Sequence, residues 1–142
     1  MKIAIVILNW NGLNHLKEFL PSVIKYSENN PVYIIDNNST DKSIEFVKSN
    51  FSTVNVILHT RNYGYAKGYN EGLKSIKEKV YCLLNNDVQV SENWLIPVIK
   101  EFKNNDSLAI AQPKILDYKN KNKFEYAGAA GGFIDYFGYP YC

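Results

Sequence analysis

Residues 3–12 read IAIVILNWNG, an unbroken run of apolar side chains that stops at a polar loop. Because the run is continuous rather than alternating, it predicts a β-strand buried on both faces, as in a parallel sheet covered by helices. Four more short runs have the same character, at residues 32–35, 54–58, 80–84 and 108–111. Amphipathic segments separate them, so we expect an α/β protein whose mostly parallel sheet is flanked by helices on both faces.

Two prolines fall inside these amphipathic segments. Pro21 lies in the middle of the first segment, where it is expected to kink or divide the helix because it lacks a backbone N–H. Pro97 is compatible with a helix that starts near Asn93, since proline is tolerated in the first turn.

The composition of the 142 residues indicates one ordinary domain with a packed core, being 46% hydrophobic and 21% charged. A formal net charge of +2 is too small for a nucleic-acid partner. The longest apolar run is far shorter than the roughly 20 residues of a membrane span, so no transmembrane segment is expected. Two cysteines do not make a disulfide framework, which favours a cytoplasmic location, the inner membrane surface included.

The loops after the first two strands carry the first candidate residues, because ligands of parallel sheets bind beyond the carboxyl ends of the strands. Trp10 either offers a flat face to a planar ligand or packs beneath its own loop. Asp36 ends an apolar strand, where a carboxylate is costly unless it accepts hydrogen bonds from backbone or ligand. Downstream, Ser39 or Thr40 can cap the next helix, and Asp41 suits its first turn.

The loop after the third strand is rich in glycine and carries Arg61, the only arginine of the chain. Arg61 and Lys67 add positive charge near a predicted helix start, a natural place for a diphosphate. Glycines at positions 64, 68 and 72 would let the backbone approach a ligand. The alternative is structural, with Gly64 as a turn residue and Lys67 as a solvated side chain.

The loop after the fourth strand reads Asn85-Asn86-Asp87. Oxygen-bearing side chains at a strand end can hold a hard divalent cation together with substrate phosphates. The alternative is a simple turn in which Asp87 bonds to backbone. Taken together, the four loops supply a planar stacking group, a carboxylate, a basic glycine-rich loop and a cation site, which predicts binding of a nucleoside diphosphate.

These motifs, in this order, resemble the family-two inverting glycosyltransferases with the GT-A fold. The resemblance covers nearly the whole chain, rests on the segments at residues 5–11, 35–41, 62–72 and 83–88, and is strongest to the rhamnosyltransferase-type branch. It implies that Asp87 holds Mg²⁺ or Mn²⁺ in the place of the family's Asp-x-Asp motif, with Asn85 replacing the first Asp. The nucleotide-binding residues that it implies are Leu8, Trp10, Asp36, Asn38, Arg61, Gly64, Lys67 and Asn86.

The implied reaction is the transfer of a sugar from a nucleotide-diphosphate donor to an acceptor hydroxyl, with inversion. The acceptor would be a saccharide or a lipid-linked molecule. In the family the general base lies in a later acidic motif, and this chain is expected to stop before it. Residues 1–116 are thus predicted to bind the donor, with residues 117–142 as the start of an acceptor-side region or an aromatic tail. Asp135 is expected to be a turn residue rather than the base.

Other nucleotide-binding classes do not fit the sequence. The phosphate-loop pattern is absent, and the first strand is followed by NWNG rather than by Gly-x-Gly-x-x-Gly. A phosphorelay receiver would leave the glycine-rich third loop unexplained. The remaining alternative is a non-catalytic module that binds a nucleotide sugar or a partner protein and lacks the general base.

Overall fold

The computed structural model describes residues 1–126 and 130–141, which form two compact units, Met1–Lys103 and Asn104–Cys142. The elements that lead up to the boundary are β1 (Ile3–Asn9), α1 (Leu13–Tyr26), β2 (Val32–Asp36), α2 (Ser43–Asn50), β3 (Asn55–Leu58), α3 (Tyr65–Leu73), β4 (Val80–Leu84) and α4 (Ile96–Asn104). The second unit holds the short strands β5 (Phe133–Ile134) and β6 (Pro140–Tyr141).

The sheet of the first unit has four parallel strands in the order β3-β2-β1-β4. Ile5 of β1 pairs with Val32 on one side and with Cys82 on the other. The chain therefore moves outward from β1 to β3 and then returns to the far side of β1. This reversal places a topological switch point between β1 and β4, with all four carboxyl ends at one edge of the sheet.

Apolar side chains cover both faces of this sheet, because successive strand residues point to opposite sides. Ile5 of β1 packs in one cluster with Leu16 of α1 and Val47 of α2. Val6, the next residue, packs in a second cluster with Tyr69 of α3. The predicted α/β class, with a parallel sheet flanked by helices on both faces, is confirmed.

The expectation that every strand is buried on both faces is wrong for β3 and β4. Leu58 of β3 and Leu83 of β4 are each more than half exposed. The reason is their position, since each forms an edge of the sheet in the part of the chain that the structure describes. β1 and β2 have neighbours on both sides and are almost wholly buried.

The predicted strand at residues 108–111 is also wrong. These residues form no ladder with any described strand, and Ile110 is 84% exposed. An apolar run becomes a strand only where a neighbouring backbone can take up its hydrogen bonds. They belong to the second compact unit, whereas the four strands of the sheet belong to the first.

The two prolines behave differently from each other. Pro21 lies inside α1 and does not divide it, because the helix runs on to Tyr26. Pro97 is the second residue of α4 and lies in its first turn, as predicted. The helix starts at Ile96 rather than near Asn93, since Asn93 has a φ of 62° that a right-handed helix does not accommodate.

The second unit contains a small antiparallel hairpin in which β5 pairs with β6. Asp135 organises its turn, because Oδ1 accepts hydrogen bonds from the backbone N–H groups of Phe137 and Tyr139 at 2.9 and 2.8 Å. The prediction that Asp135 is a turn residue is therefore confirmed. Within the predicted acceptor-side region or aromatic tail at residues 117–142, residues 127–129 and Cys142 lie outside the described residues.

No helix in the described ranges combines the length and the apolar character that a membrane crossing requires. Cys82 of β4 is a free thiol.

Candidate functional site

A cleft of about 350 Å³ opens in the first unit at the carboxyl ends of the strands, by the switch point between β1 and β4. Its size falls in the usual range for a small-molecule site. The cleft draws its lining from the loops that follow all four strands of the sheet. The lining residues are Leu8, Trp10, Asn37, Asn62, Gly64, Tyr65, Asn85, Asn86 and Asp87.

A buried tyrosine holds β1 and β4 together at the mouth of the switch point. Pairing between the two strands ends at Ile7 and Leu84. The Tyr69 hydroxyl accepts a hydrogen bond from the Leu8 backbone N–H at 3.3 Å and donates one to the Leu84 carbonyl at 3.1 Å. Burial raises the pKa of Tyr69, which keeps the hydroxyl a neutral donor. The Tyr69 hydroxyl thus takes the place of the next ladder hydrogen bonds and joins the two strand ends at the cleft.

Trp10 presents its indole to solvent at the rim of the cleft. The side chain is 57% exposed and belongs to the lining. The alternative in which Trp10 packs beneath its own loop is therefore wrong. An exposed indole beside a cavity is well suited to stack on a planar ring.

Asp36 lies beneath the site rather than in its lining. It is 4% exposed, and protein groups already bind both of its oxygens. Oδ1 accepts hydrogen bonds from Ser39 Oγ at 2.5 Å and from Asn9 Nδ2 at 3.3 Å, while Oδ2 accepts one from the Ser39 backbone N–H at 2.9 Å. These donors compensate the cost of burying the carboxylate.

The loop after β2 is held by Asp41 rather than by hydroxyl caps. Lys42 is the residue that precedes α2, so the predicted capping by Ser39 or Thr40 is wrong. Asp41 instead accepts backbone hydrogen bonds from Ser43 at the start of α2 and from Leu13 at the start of α1, both at 3.0 Å. Burial raises the pKa of Asp41, but the hydrogen bonds from Ser43 and Leu13 outweigh it and lower the pKa. The prediction that Asp41 lies in the first turn is wrong, since Glu45 is the acidic residue there, but Asp41 does bond to the first N–H of α2 from just before the helix.

Asn37 joins the loops after β2 and β3. Its Nδ2 donates to Asn62 Oδ1 at 2.8 Å and to the Gly64 carbonyl at 3.0 Å. Its Oδ1 accepts from the Tyr63 backbone N–H at 2.9 Å, and His59 Nδ1 lies 3.2 Å away. All four hydrogen-bonding positions of this 3% exposed side chain are thus directed at the loop that carries the glycines.

His59 is the one side chain of this loop with a buried polar atom lacking a hydrogen-bond partner in the described part of the chain, at Nε2. Its Nδ1 donates to Asn37 Oδ1, because that oxygen is an acceptor. A proton on Nε2 would have no acceptor there. Burial lowers the pKa of His59, against the opposing charges of Glu71 and Asp36, and the ring is held neutral.

The two predicted phosphate-binding cations do not line the cleft. The Arg61 guanidinium lies 4.9 Å from the centre of the Tyr63 ring, and Lys67 Nζ lies 5.4 Å from the same ring. Gly64 does line the cleft, and its φ of 76° is a conformation that favours glycine. It immediately precedes α3, and Tyr65, the first residue of that helix, also lines the cleft.

The residues at positions 85–87 all belong to the lining, but their oxygens differ in availability. Asn85 Oδ1 accepts a hydrogen bond from the Tyr65 hydroxyl at 3.2 Å, and Asn86 Nδ2 donates to Asn9 Oδ1 at 3.2 Å. Asp87 is exposed and has no hydrogen-bond partner among residues 1–126 and 130–141. Residues 86–87 do form a turn, but the predicted bond from Asp87 to backbone is not found in the described part of the chain.

The donor set fits a cation that is shared with a ligand. No group of three or more His, Cys, Asp or Glu side chains comes together within the described ranges. Mg²⁺ is commonly held by one or two carboxylates together with substrate phosphates and water. Asp87, with the neighbouring amide oxygens, suits this arrangement and not a dedicated protein cage.

The structure thus brings six of the sequence-predicted site residues into one lining and leaves four outside it. Those in the lining are Leu8, Trp10, Gly64, Asn85, Asn86 and Asp87. Those outside are Asp36, Asn38, Arg61 and Lys67. Sequence reasoning missed Asn37, Asn62 and Tyr65 as lining residues, although each lies within one residue of a position that had been singled out.

The family to which the chain belongs follows from comparison with known proteins. A family model described as glycosyl transferase family 2 matches residues 4–136. The chain belongs to glycosyl transferase family 2. The match covers all four strand-end loops that line the cleft, in agreement with the resemblance described above.

Curated relatives of this family 2 chain include two uncharacterized glycosyltransferases of Rickettsia. The protein from Rickettsia prowazekii is 22% identical over 125 residues, and the one from Rickettsia typhi is 20% identical over 125 residues. Each alignment covers 86% of this chain and 39% of the relative. The chain therefore spans well under half the length of these family 2 proteins.

Solved structures share the fold of this family 2 chain. S. aureus TarS 1–349 in complex with UDP-GlcNAc has a TM-score of 0.65 and 18% identity, over 82% of this chain and 39% of that one. The mannosyltransferase PcManGT from Pyrobaculum calidifontis, in complex with GDP-Man and Mn²⁺, has a TM-score of 0.62 and 15% identity, over 80% and 33%. Both are glycosyltransferase structures with the GT-A type of α/β fold.

Proposed function

We propose that the cleft binds the nucleoside diphosphate of a sugar donor, and that the protein transfers the sugar to an acceptor hydroxyl with inversion. The observation that carries this proposal is the convergence of Trp10, Gly64 and Asp87 on one cleft at the switch point of the sheet. Each of the three supplies a different part of nucleotide recognition. Family membership and the bound donors of TarS and PcManGT support the assignment.

Trp10 and Asp36 are proposed to serve the nucleobase. The exposed indole of Trp10 offers a face on which a base stacks. Asp36 lies directly behind the lining with both oxygens bonded to Ser39 or Asn9. A base could reach its carboxylate only by sharing an acceptor oxygen with Ser39, which makes Asp36 sensitive to the conformation of that loop. Asn38 is exposed in the same loop and is proposed to contact the nucleoside.

The diphosphate is proposed to lie against Gly64 and the N-terminus of α3. Backbone N–H groups at a helix start attract phosphate oxygens, and glycine allows a close approach. Arg61 and Lys67 flank the Tyr63 ring beside this segment and contribute positive charge. Both side chains are exposed and flexible enough to turn toward a bound anion.

Asp87 is proposed to hold Mg²⁺ or Mn²⁺ together with Asn85. A cation at this position would neutralise the charge that develops on the departing diphosphate. The neighbouring PcManGT structure contains Mn²⁺ with GDP-Man, which supports a divalent ion in this fold. The replacement of a carboxylate by Asn85 reduces the negative charge of the site and makes the phosphates an essential part of it.

The acceptor is proposed to be a saccharide or a lipid-linked molecule whose hydroxyl attacks the anomeric carbon. No base for this hydroxyl is assigned in the described part of the chain, and Asp135 is used by the hairpin turn. This observation favours one second candidate function. In that alternative the chain binds a nucleotide sugar without transferring it.

Calorimetric titration tests the proposed binding directly. UDP, GDP and dTDP are each titrated into the protein with and without Mn²⁺, and we expect saturable binding of at least one of them that is tighter with the ion. The absence of heat with all three would overturn the proposal. Donor-sugar hydrolysis or transfer, followed for the nucleotide that binds, then separates the enzyme from the non-catalytic binding module.

A further inference from the structure

Asn9, the last residue of β1, is the polar centre of the region beneath the cleft. It is fully buried, and both the nitrogen and the oxygen of its side-chain amide form hydrogen bonds. Nδ2 lies 3.3 Å from Asp36 Oδ1, 3.2 Å from Ser39 Oγ and 3.0 Å from Ser43 Oγ. Oδ1 accepts a hydrogen bond from Asn86 Nδ2 at 3.2 Å. One buried side chain therefore links the loop after β2 to the loop after β4.

The direction of these hydrogen bonds is set by the carboxylate at one end. Asp36 can only accept, so the amide nitrogen of Asn9 must face it. The oxygen of Asn9 then faces Asn86, which must present its own nitrogen in turn. The oxygen of Asn86 is the polar atom that remains, and Asn86 belongs to the lining of the cleft.

We propose that Asn9 is a positioning residue. It holds the Asn86 amide in one orientation, so that the oxygen of Asn86 is directed toward the cation that binds with the nucleotide. We name the chain of contacts from Asp36 through Asn9 to Asn86 the amide relay. This inference rests on the proposed function for the ligand that the relay serves. The geometry of the relay itself rests only on the three side chains.

Gly12, the residue before α1, makes the contact between Asn9 and Asn86 attainable. A Cβ atom at this position would lie 2.3 Å from Asn9 Oδ1 and 2.4 Å from Asn86 Nδ2. The backbone of Gly12 has φ −102° and ψ 29°, and a negative φ does not itself demand glycine. The atoms that would clash are the ends of side chains, which can move apart. Gly12→Ala therefore separates the two amides without deleting any hydrogen-bonding group.

The relay is tested first without any ligand, by the side-chain amide resonances in a ¹⁵N NMR spectrum. The Asn86 signal is identified by its loss in Asn86→Asp. We expect it to shift in Gly12→Ala and in Asn9→Ala, and to stay in place in Asn14→Ala. Asn14 is exposed on the first turn of α1, so this variant controls for a change near the same helix end. An Asn86 signal unmoved by Gly12→Ala overturns the relay, as does a shift of equal size in Asn14→Ala.

The second arm measures the role of the relay in the site. For the nucleotide that binds, Kd is determined with and without Mn²⁺ in the parent, Gly12→Ala and Asn14→Ala. Mn²⁺ is expected to tighten nucleotide binding in the parent. We expect Gly12→Ala to reduce this gain in affinity about tenfold, which corresponds to about 1.4 kcal/mol, while the Kd without Mn²⁺ changes by less than about threefold. An unchanged gain from Mn²⁺ overturns the positioning role. Failure of the parent to bind any nucleotide overturns the proposed function instead, and the NMR result still decides the relay.

Discussion

Asn37 Nδ2 donates a hydrogen bond to Asn62 Oδ1 at 2.8 Å, and so ties the loop after β2 to the loop after β3. Both residues line the cleft. Since the two loops are attached to neighbouring parallel strands, this contact fixes the width of the cleft on that side. The glycine-rich segment is therefore held in place before any ligand arrives.

Replacing Asn37 is expected to loosen this side of the cleft and to destabilise the fold. Asn37→Ala leaves the Tyr63 N–H and the Gly64 carbonyl without their partner, which should cost about 2 kcal/mol of unfolding free energy. Urea denaturation of the variant measures this loss. Asn70→Ala, at an exposed position on α3, is the control and should stay within about 0.5 kcal/mol of the parent. Equal midpoints for the two variants would contradict the bridging role.

Asp87→Ala is expected to remove the effect of Mn²⁺ on nucleotide binding without affecting stability. The side chain is exposed and bonds to no described residue, so unfolding should change by less than about 0.5 kcal/mol. Calorimetry with and without Mn²⁺ measures the binding effect. A variant that keeps the full metal-dependent gain would show that the cation is held elsewhere.

Asp36→Ala provides the contrasting case on the base side. We expect weaker nucleotide binding both with and without Mn²⁺, together with a loss of about 2 kcal/mol in stability, because Asn9 and Ser39 lose a buried acceptor. The same titrations and a urea curve measure both effects. Parent-like affinity in both ion conditions would refute the proposed role of Asp36.

Trp10 is expected to report nucleotide binding by its fluorescence. The chain has two tryptophans, and Trp94 is half-buried with its indole N–H donating to the Tyr26 carbonyl. In a Trp94→Phe background, Trp10 is the only indole, and stacking of a base on it should quench its emission. The nucleotide that gives calorimetric heat is titrated in this background. Saturable binding with unchanged emission would place the base away from Trp10.

The stability of the fold is expected to fall as the pH drops below the ordinary pKa of histidine. Burial lowers the pKa of His59, so the unfolded chain binds a proton at a pH where the folded protein does not. The stabilisation is fully present above pH about 6.5 and is lost as the pH falls toward the lowered folded pKa. Urea curves between pH 7.5 and 5.5 should show this slope in the parent and in His15→Gln, and less of it in His59→Gln. Parallel slopes in both variants would exclude His59 as its source.

Two glycines of α3 are expected to differ sharply in their tolerance of alanine. A Cβ at Gly72 would lie 2.3 Å from Ile35 Cδ1, so Gly72→Ala should cost about 2 kcal/mol through overpacking. A Cβ at Gly68 would lie 3.1 Å from Leu8 Cδ1, and the gain in helix propensity of about 1 kcal/mol offsets that milder contact. Thermal or urea unfolding compares the two variants. The reverse ranking would mean that α3 packs differently on the sheet.

The arrangement of a parallel sheet between layers of helices was predictable, because an unbroken apolar run such as that of β1 indicates a buried strand. The run at residues 108–111 has the same local character, yet Ile110 lies open to solvent. Local pattern cannot supply the neighbouring strand that such a run needs. In the same way, Leu58 is exposed because β3 is an edge strand of the sheet. The sequence around Leu58 does not show the order of the strands.

The sequence was enough to predict which loops form the site, but not which side chains of those loops line the cleft. Trp10 and Asp87 followed from their unusual chemistry at the end of a strand. Asn37 was harder to identify, because eighteen asparagines make each one unremarkable and its four hydrogen bonds reach residues 22 to 27 positions away. Arg61 was prominent as the only arginine. Its cation–π contact with Tyr63 depends on side-chain packing, which the sequence pattern does not predict.

The central place of β1 shapes how the protein must be made. Its partners are β2, which starts at Val32, and β4, which starts only at Val80. During translation β1 leaves the ribosome well before β4, so one of its backbone edges stays unpaired while about seventy residues are added. Non-local closure of this kind slows folding. The nascent chain is consequently most vulnerable to mispairing in the interval before residue 84 emerges.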